Sequence, residues 1–167
     1  ETVESVNIEE SNPIDINIDY LNFISCDGGN DGALTNSIQG GVPPYEFSWL
    51  DDTGGFLSSD QDIFNLEAGA YALQVTDDSG CSAYEPFIVG EPNVLQIDQL
   101  IINDVACYDG TDGSVEVFII GGASPFTYSF TDLNGNDVNP NSLSEGDYII
   151  TVSDDNNCLI SDVFSVN

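Results

Sequence analysis

Residues 26–50 read CDGGNDGALTNSIQGGVPPYEFSWL, and residues 107–131 read CYDGTDGSVEVFIIGGASPFTYSFT. At an offset of 81, Cys26 falls on Cys107, Asp31-Gly32 on Asp112-Gly113, Gly40-Gly41 on Gly121-Gly122, Pro44 on Pro125, Tyr45 on Phe126 and Trp49 on Phe130. Further along, at an offset of 77, Gly69 falls on Gly146, Tyr71 on Tyr148, Leu73 on Ile150, Val75 on Val152, Asp77 on Asp154 and Cys81 on Cys158. The chain is therefore an internal repeat whose second copy is four residues shorter in its middle. That length change belongs in a loop, where chain length varies at least cost.

Within each copy apolar and polar residues alternate, as half-buried antiparallel strands require. In the first copy the pattern predicts strands over 14–20, 33–39, 45–49, 63–66, 71–76 and 83–89, and nothing reads as a helix. Between them lie Gly, Asp, Asn and Pro, the residues that supply positive φ and local side-chain turns. Asn134-Gly135 is a hairpin signal in the second copy. Short strands at this spacing predict an all-β fold: tandem immunoglobulin-like antiparallel β-sandwich modules over residues 13–91 and 92–167. Residues 1–12 read as the end strand of a preceding repeat, or as a linker derived from one.

The stretches LEAGAYALQVTD and LSEGDYIITVSD carry Tyr71 and Tyr148 into a core strand. A tyrosine there buries its ring and gives its hydroxyl to a nearby backbone group. Tyr45, Phe47 and Trp49 alternate, as do Phe126, Tyr128 and Phe130, which is the pattern of a core-facing strand.

The chain of 167 residues has 30 Asp and Glu, no Lys or Arg and no His, a formal net charge of −30. Domains ordinarily mix the two signs. Without cations there are no salt bridges and no means of neutralising phosphates, so nucleic acid is excluded as a partner, and an anionic membrane surface repels the chain. No apolar run approaches the roughly 20 residues needed to span a bilayer, so direct membrane insertion is not expected. No signal peptide or initiating Met is present, and the chain reads as a mature segment. Such self-repulsion calls for a setting rich in salt and divalent cations.

Cysteine anchor, DG-ending loop, alternating strand, GG, Pro-aromatic strand ending in Trp49 or Phe130, GxYxxxV, Asp and a closing cysteine together resemble the SprB-repeat family, over residues 26–90 and 107–166. The resemblance implies a secreted or cell-surface adhesin of Bacteroidota, built of many tandem modules and in some members linked to gliding motility. The missing basic residues depart from that pattern, as does Phe130 where Trp is usual. The expected role is a structural repeat of a filamentous adhesin, with neighbouring repeats, other fibre subunits and surface glycans as partners. A calcium-dependent carbohydrate-binding module of a secreted protein is the alternative.

Enzymatic chemistry is not expected. Without His or Lys no usual general base, Schiff-base amine or imidazole metal ligand exists, and paired carboxylates are abundant enough to occur by chance. No cofactor is required. Calcium is the one ligand the composition invites, since it takes oxygen donors alone. Its candidate ligands are Asp27, Asn30 and Asp31; Asp109 and Asp112; Asp77 and Asp78; and Asp154 and Asp155. The competing reading makes these turn residues. Four cysteines at equivalent points point to an oxidising compartment and to disulfides. Pairing inside each module, Cys26 with Cys81 and Cys107 with Cys158, is the favoured arrangement. Cys26 with Cys158 is the alternative if each module's cysteines lie at opposite poles, and free thiols are the third reading.

Overall fold

A computed structural model describes residues 12–167. Of the segment 1–12 read as a preceding end strand or linker, residues 1–11 lie outside the described residues. The chain divides into two compact units, one running to Ile24 and from Gly28 to Gly90, the other made of Ser25–Asp27 and Glu91–Asn167. Both are all-β and antiparallel, and no helix occurs among the described residues.

The first unit contains β1 (Asp15–Asn22), β2 (Gly32–Gln39), β3 (Tyr45–Asp51), β4 (Phe56–Ser58), β5 (Ile63–Leu66), β6 (Gly69–Asp77) and β7 (Ser82–Val89). They form two sheets, β1-β2-β5 and β4-β3-β6-β7. This is the immunoglobulin-like division: strands one, two and five on one side, strands three, six and seven on the other. Alternation puts Leu34, Trp49, Leu73 and Val75 inward, each fully buried, with Ile24, Ile63, Leu66 and Val89 around them. The sequence reading lacks β4, whose three residues are too short to show a period of two.

The second unit contains β8 (Gln96–Asn103), β9 (Ser114–Ile120), β10 (Thr127–Asp132), β11 (Gly146–Ser153) and β12 (Leu159–Val166), in sheets β8-β9 and β10-β11-β12. Its core is Val115, Leu143, Tyr148, Ile150, Val152, Phe164 and Val166. The counterpart of β4 shrinks to the bridge Thr131–Asp137, and that of β5 to the bridge Gly113–Leu143.

The shortening has a chemical partner. In the first unit the Trp49 indole N–H donates to the carbonyls of Asp60 and Gln61 at 3.0 and 3.3 Å. The buried Asn36 side-chain amide also donates to the Gln61 carbonyl, and Gln61 returns a bond from Nε2 to the Asn36 carbonyl at 2.7 Å. The second repeat is shorter in this very stretch, and it carries Phe130 and Val117 where the first has Trp49 and Asn36. Neither replacement needs an acceptor. A buried donor that lost its partner would cost about 1–3 kcal/mol, so loop and side chains change together.

Each unit has two poles. In the first, β1 begins, β2 ends, β3 begins and β6 turns into β7 at one pole. At the other lie the loop between β1 and β2 and the end of β7, joined by Ile24 N–H to the Gly90 carbonyl at 2.9 Å. In the second unit, Val105 N–H to the Asn167 carbonyl at 3.0 Å makes the same junction.

Candidate functional site at the cysteine loops

The loop 77–81 between β6 and β7 is built on one carboxylate. Asp77 Oδ1 accepts the Ser79 and Cys81 backbone N–H groups at 3.0 and 2.9 Å and the Ser79 hydroxyl at 2.7 Å. Its Oδ2 accepts the Val42 N–H at 3.0 Å, tying the loop to the GG corner. The second unit repeats this. Asp154 Oδ1 accepts Asn156 and Cys158 N–H at 3.0 and 2.9 Å, and Oδ2 accepts Ala123 N–H at 2.9 Å. Asp77 and Asp154 are both buried. With no cation in the chain, backbone N–H groups do the neutralising. The Ser79 hydroxyl first, then the amides of Val42, Cys81 and Ser79, hold the Asp77 carboxyl below its usual range.

Asp51 and Asp132 head the same kind of hairpin. Asp51 Oδ1 accepts Thr53 N–H, Thr53 hydroxyl and Gly55 N–H; Asp132 Oδ1 accepts the Asn134 and Asn136 N–H groups. The Thr53 hydroxyl and the Asn136 side chain are the leading causes that lower these two carboxyls. Four loops, Asp51–Gly55, Asp77–Cys81, Asp132–Asn136 and Asp154–Cys158, therefore share one design. In each, the third residue after the Asp donates back to the Asp carbonyl and takes positive φ: Gly54, Gly80, Gly135 and Asn157.

The structure thus gives the calcium candidates Asp77 and Asp154 another occupation. Asp27, Asn30, Asp31, Asp78, Asp109, Asp112 and Asp155 are exposed, and Asp112 Oδ1 accepts the Ala106 N–H at 3.1 Å. Among the described residues no three His, Cys, Asp or Glu groups come together to hold a metal.

The aromatic strip lies largely inside. Trp49 is fully buried, and Tyr45, Phe47, Phe126 and Phe130 pack against the cores, while Tyr128 is 47% exposed. The Tyr71 and Tyr148 hydroxyls each donate to a carbonyl four residues back, Glu67 and Ser144, at 2.9 Å.

The cysteines depart from the favoured pairing. The bond joins Cys26 to Cys158, with S–S 2.05 Å and Cα–Cα 5.6 Å, while Cys81 and Cys107 are exposed thiols. The reason is the pole geometry. In the first unit the opening loop meets Gly90, beyond the end of β7, whereas Cys81 precedes the start of that eight-residue strand. Nine residue steps separate Cys81 from Gly90, roughly 30 Å of extended chain, far beyond the 4.4–6.8 Å between Cα atoms that a disulfide allows. Residues 25–27 instead cluster with the second unit, where Asn156 Nδ2 donates to the Ser25 carbonyl at 2.9 Å.

Residues 24–54 and 100–135 match the family model described as SprB repeat. Both copies of the internal repeat thus contain a stretch similar to the SprB repeat. The first match starts at the opening loop and the second within β8, and both run through the GG corner to the positive-φ glycine of the first Asp-headed hairpin, Gly54 or Gly135. No curated protein matches the chain. Among solved structures, it resembles the N-terminal eight Ig domains of Down Syndrome Cell Adhesion Molecule isoform 1.30.30, at 16% identity and TM-score 0.42, over 93% of this chain and 25% of that one. It also resembles DIP-gamma IG1+IG2, at 14% identity and TM-score 0.46, over 93% of this chain and 97% of that one. The chain spans about a quarter of the first of these structures.

Sequence reasoning missed the shared role of Asp51, Asp77, Asp132 and Asp154 in the two repeats. The signal was present: an Asp three residues before Gly or Asn, at each of four tight hairpins.

Proposed function

We propose that this chain is a structural segment of a large extracellular or cell-surface filamentous adhesin, serving adhesion or gliding in a Bacteroidota cell. The observation that carries the reading is the recurrence, in both repeats, of one set of polar loops around an apolar core. Each repeat has an opening cysteine loop at one pole and an Asp-held closing cysteine loop at the other. Modules with distinct, equivalent poles are suited to stringing end to end. Uniform negative charge keeps neighbouring fibres apart at low salt.

The role is one of spacing and display, with neighbouring repeats and other fibre subunits as partners. Immunogold labelling of intact cells with antibody to this chain should decorate filaments projecting from the surface. Label that appears only after permeabilisation would sink the reading. On a glycan array the isolated chain should bind nothing selectively, because most of the aromatic strip is committed to the cores; strong selective binding would favour the carbohydrate-binding alternative.

A further inference from the structure

The two exposed thiols are each the sequence equivalent of a bonded one: Cys107 of Cys26, and Cys81 of Cys158. The equivalence extends to the loops that present them. The opening loops bend at the same step, with Gly28 at φ +69° and Asp109 at φ +56°. The closing loops are held by the same carboxylate contacts, since Asp77 Oδ1 receives Cys81 N–H and Asp154 Oδ1 receives Cys158 N–H, both at 2.9 Å. Within a sequence repeat the opening and closing cysteines lie at opposite poles, so neither can satisfy the other.

We propose that Cys107 and Cys81 are the two open halves of the cross-link that joins Cys26 to Cys158, each made for a further repeat. Cys107 takes the closing-loop cysteine of a following repeat, and Cys81 takes the opening-loop cysteine of a preceding one. The pairing is heterologous, opening loop to closing loop, so it propagates along a string of repeats instead of ending at a pair. It rests on the fibre reading, which supplies the neighbours. The oxidant is a low-molecular-weight disulfide. One cysteine thiolate displaces a thiolate from it, the second cysteine attacks the resulting mixed disulfide, and the two cysteine protons leave with the two small thiols released.

The test is a head-to-tail fusion of two copies of the whole chain, oxidised with glutathione disulfide and mapped without reduction. In the fusion, Cys107 of the first copy and Cys81 of the second have nearly the same sequence separation as the 132 residues between Cys26 and Cys158. Tethering makes their encounter intramolecular, at an effective concentration on the order of millimolar. Expected are a Cys26–Cys158 link in each copy and one link from Cys107 of the first copy to Cys81 of the second. Alkylation should then reach only Cys81 of the first copy and Cys107 of the second. Cys107→Ser in the first copy should abolish the new link and leave both Cys26–Cys158 links in place. Intact Cys26–Cys158 links with Cys107 and Cys81 still fully alkylatable, or paired indiscriminately as 81–81 and 107–107, would overturn the cross-link while leaving the fibre reading standing. Missing surface label on intact cells would remove the fibre reading even if the link forms.

Discussion

Asp77 and Asp154 show what a carboxylate does in a chain that has no cation. Each closes a five-residue loop and pins it to the GG corner through N–H donors, a duty that no apolar residue and no exposed acid can perform. Asp154→Ala strands the amides of Ala123, Asn156 and Cys158. It should cost the second unit about 2 kcal/mol, a fall of roughly 10 °C in its melting midpoint. Asp155→Ala, on an exposed neighbour, should stay within about 0.5 kcal/mol; equal losses would remove the role given to Asp154. The lowered carboxyls of Asp51, Asp77 and Asp132 fix a pH dependence. Their folded values lie below the unfolded one, so the unfolded chain takes up protons first. Their stabilisation is complete above about pH 4 and is lost as the pH falls through that value toward the lowered ones. Relief of repulsion among all the acids runs the other way, so the effect is read by difference. Asp132→Asn should lose less stability than the parent between about pH 5 and pH 2.5 in denaturant titrations.

At the scale of the element, the GG corner is where backbone meets backbone. A Cβ on Gly121, at φ +68°, would stand 1.9 Å from the Val94 carbonyl oxygen, whereas one on Gly135, at φ +82°, meets nothing within 4 Å. Both Gly→Ala changes carry the left-handed penalty of about 1 kcal/mol, and only Gly121→Ala adds a backbone clash. Thermal melts should rank Gly121→Ala well below Gly135→Ala; similar midpoints would show that the corner relaxes freely. Most of these elements are legible in the sequence, because Leu73, Val75, Ile150 and Val152 keep a strict period of two and the turns are marked by Gly and Asn. The aromatic strip and Tyr71 are legible for the same reason. β4 is not, since three residues carry no period. The cysteine partners are not legible either. Pairing depends on which pole each loop occupies, and that follows from strand count and register, which the poorly patterned middle of each repeat conceals. The common design of the four Asp-headed hairpins stayed hidden because Asp in a turn reads as turn chemistry whether or not its carboxylate is also spent on amides.

For the molecule as a whole, thirty carboxylates meet no basic residue, so stability depends on mobile cations. With Asp77 and Asp154 committed to amides, cations should act by screening. At matched ionic strength, sodium should raise the melting midpoint as much as calcium does. A clear excess for calcium, saturating at low concentration, would instead assign specific sites to the exposed acids of the opening loops.

The bond between Cys26 and Cys158 also closes a covalent ring with a sequence separation of 132 residues. By the chain-entropy account such a ring removes about 5 kcal/mol of freedom from the unfolded state. It also changes what a break means. A peptide bond cut anywhere between the two cysteines, by a protease or by hydrolysis, opens the ring without parting the chain. Both fragments remain tied, and tension applied to the two ends still has an unbroken path through sulfur. Damage of that kind costs shape before it costs continuity.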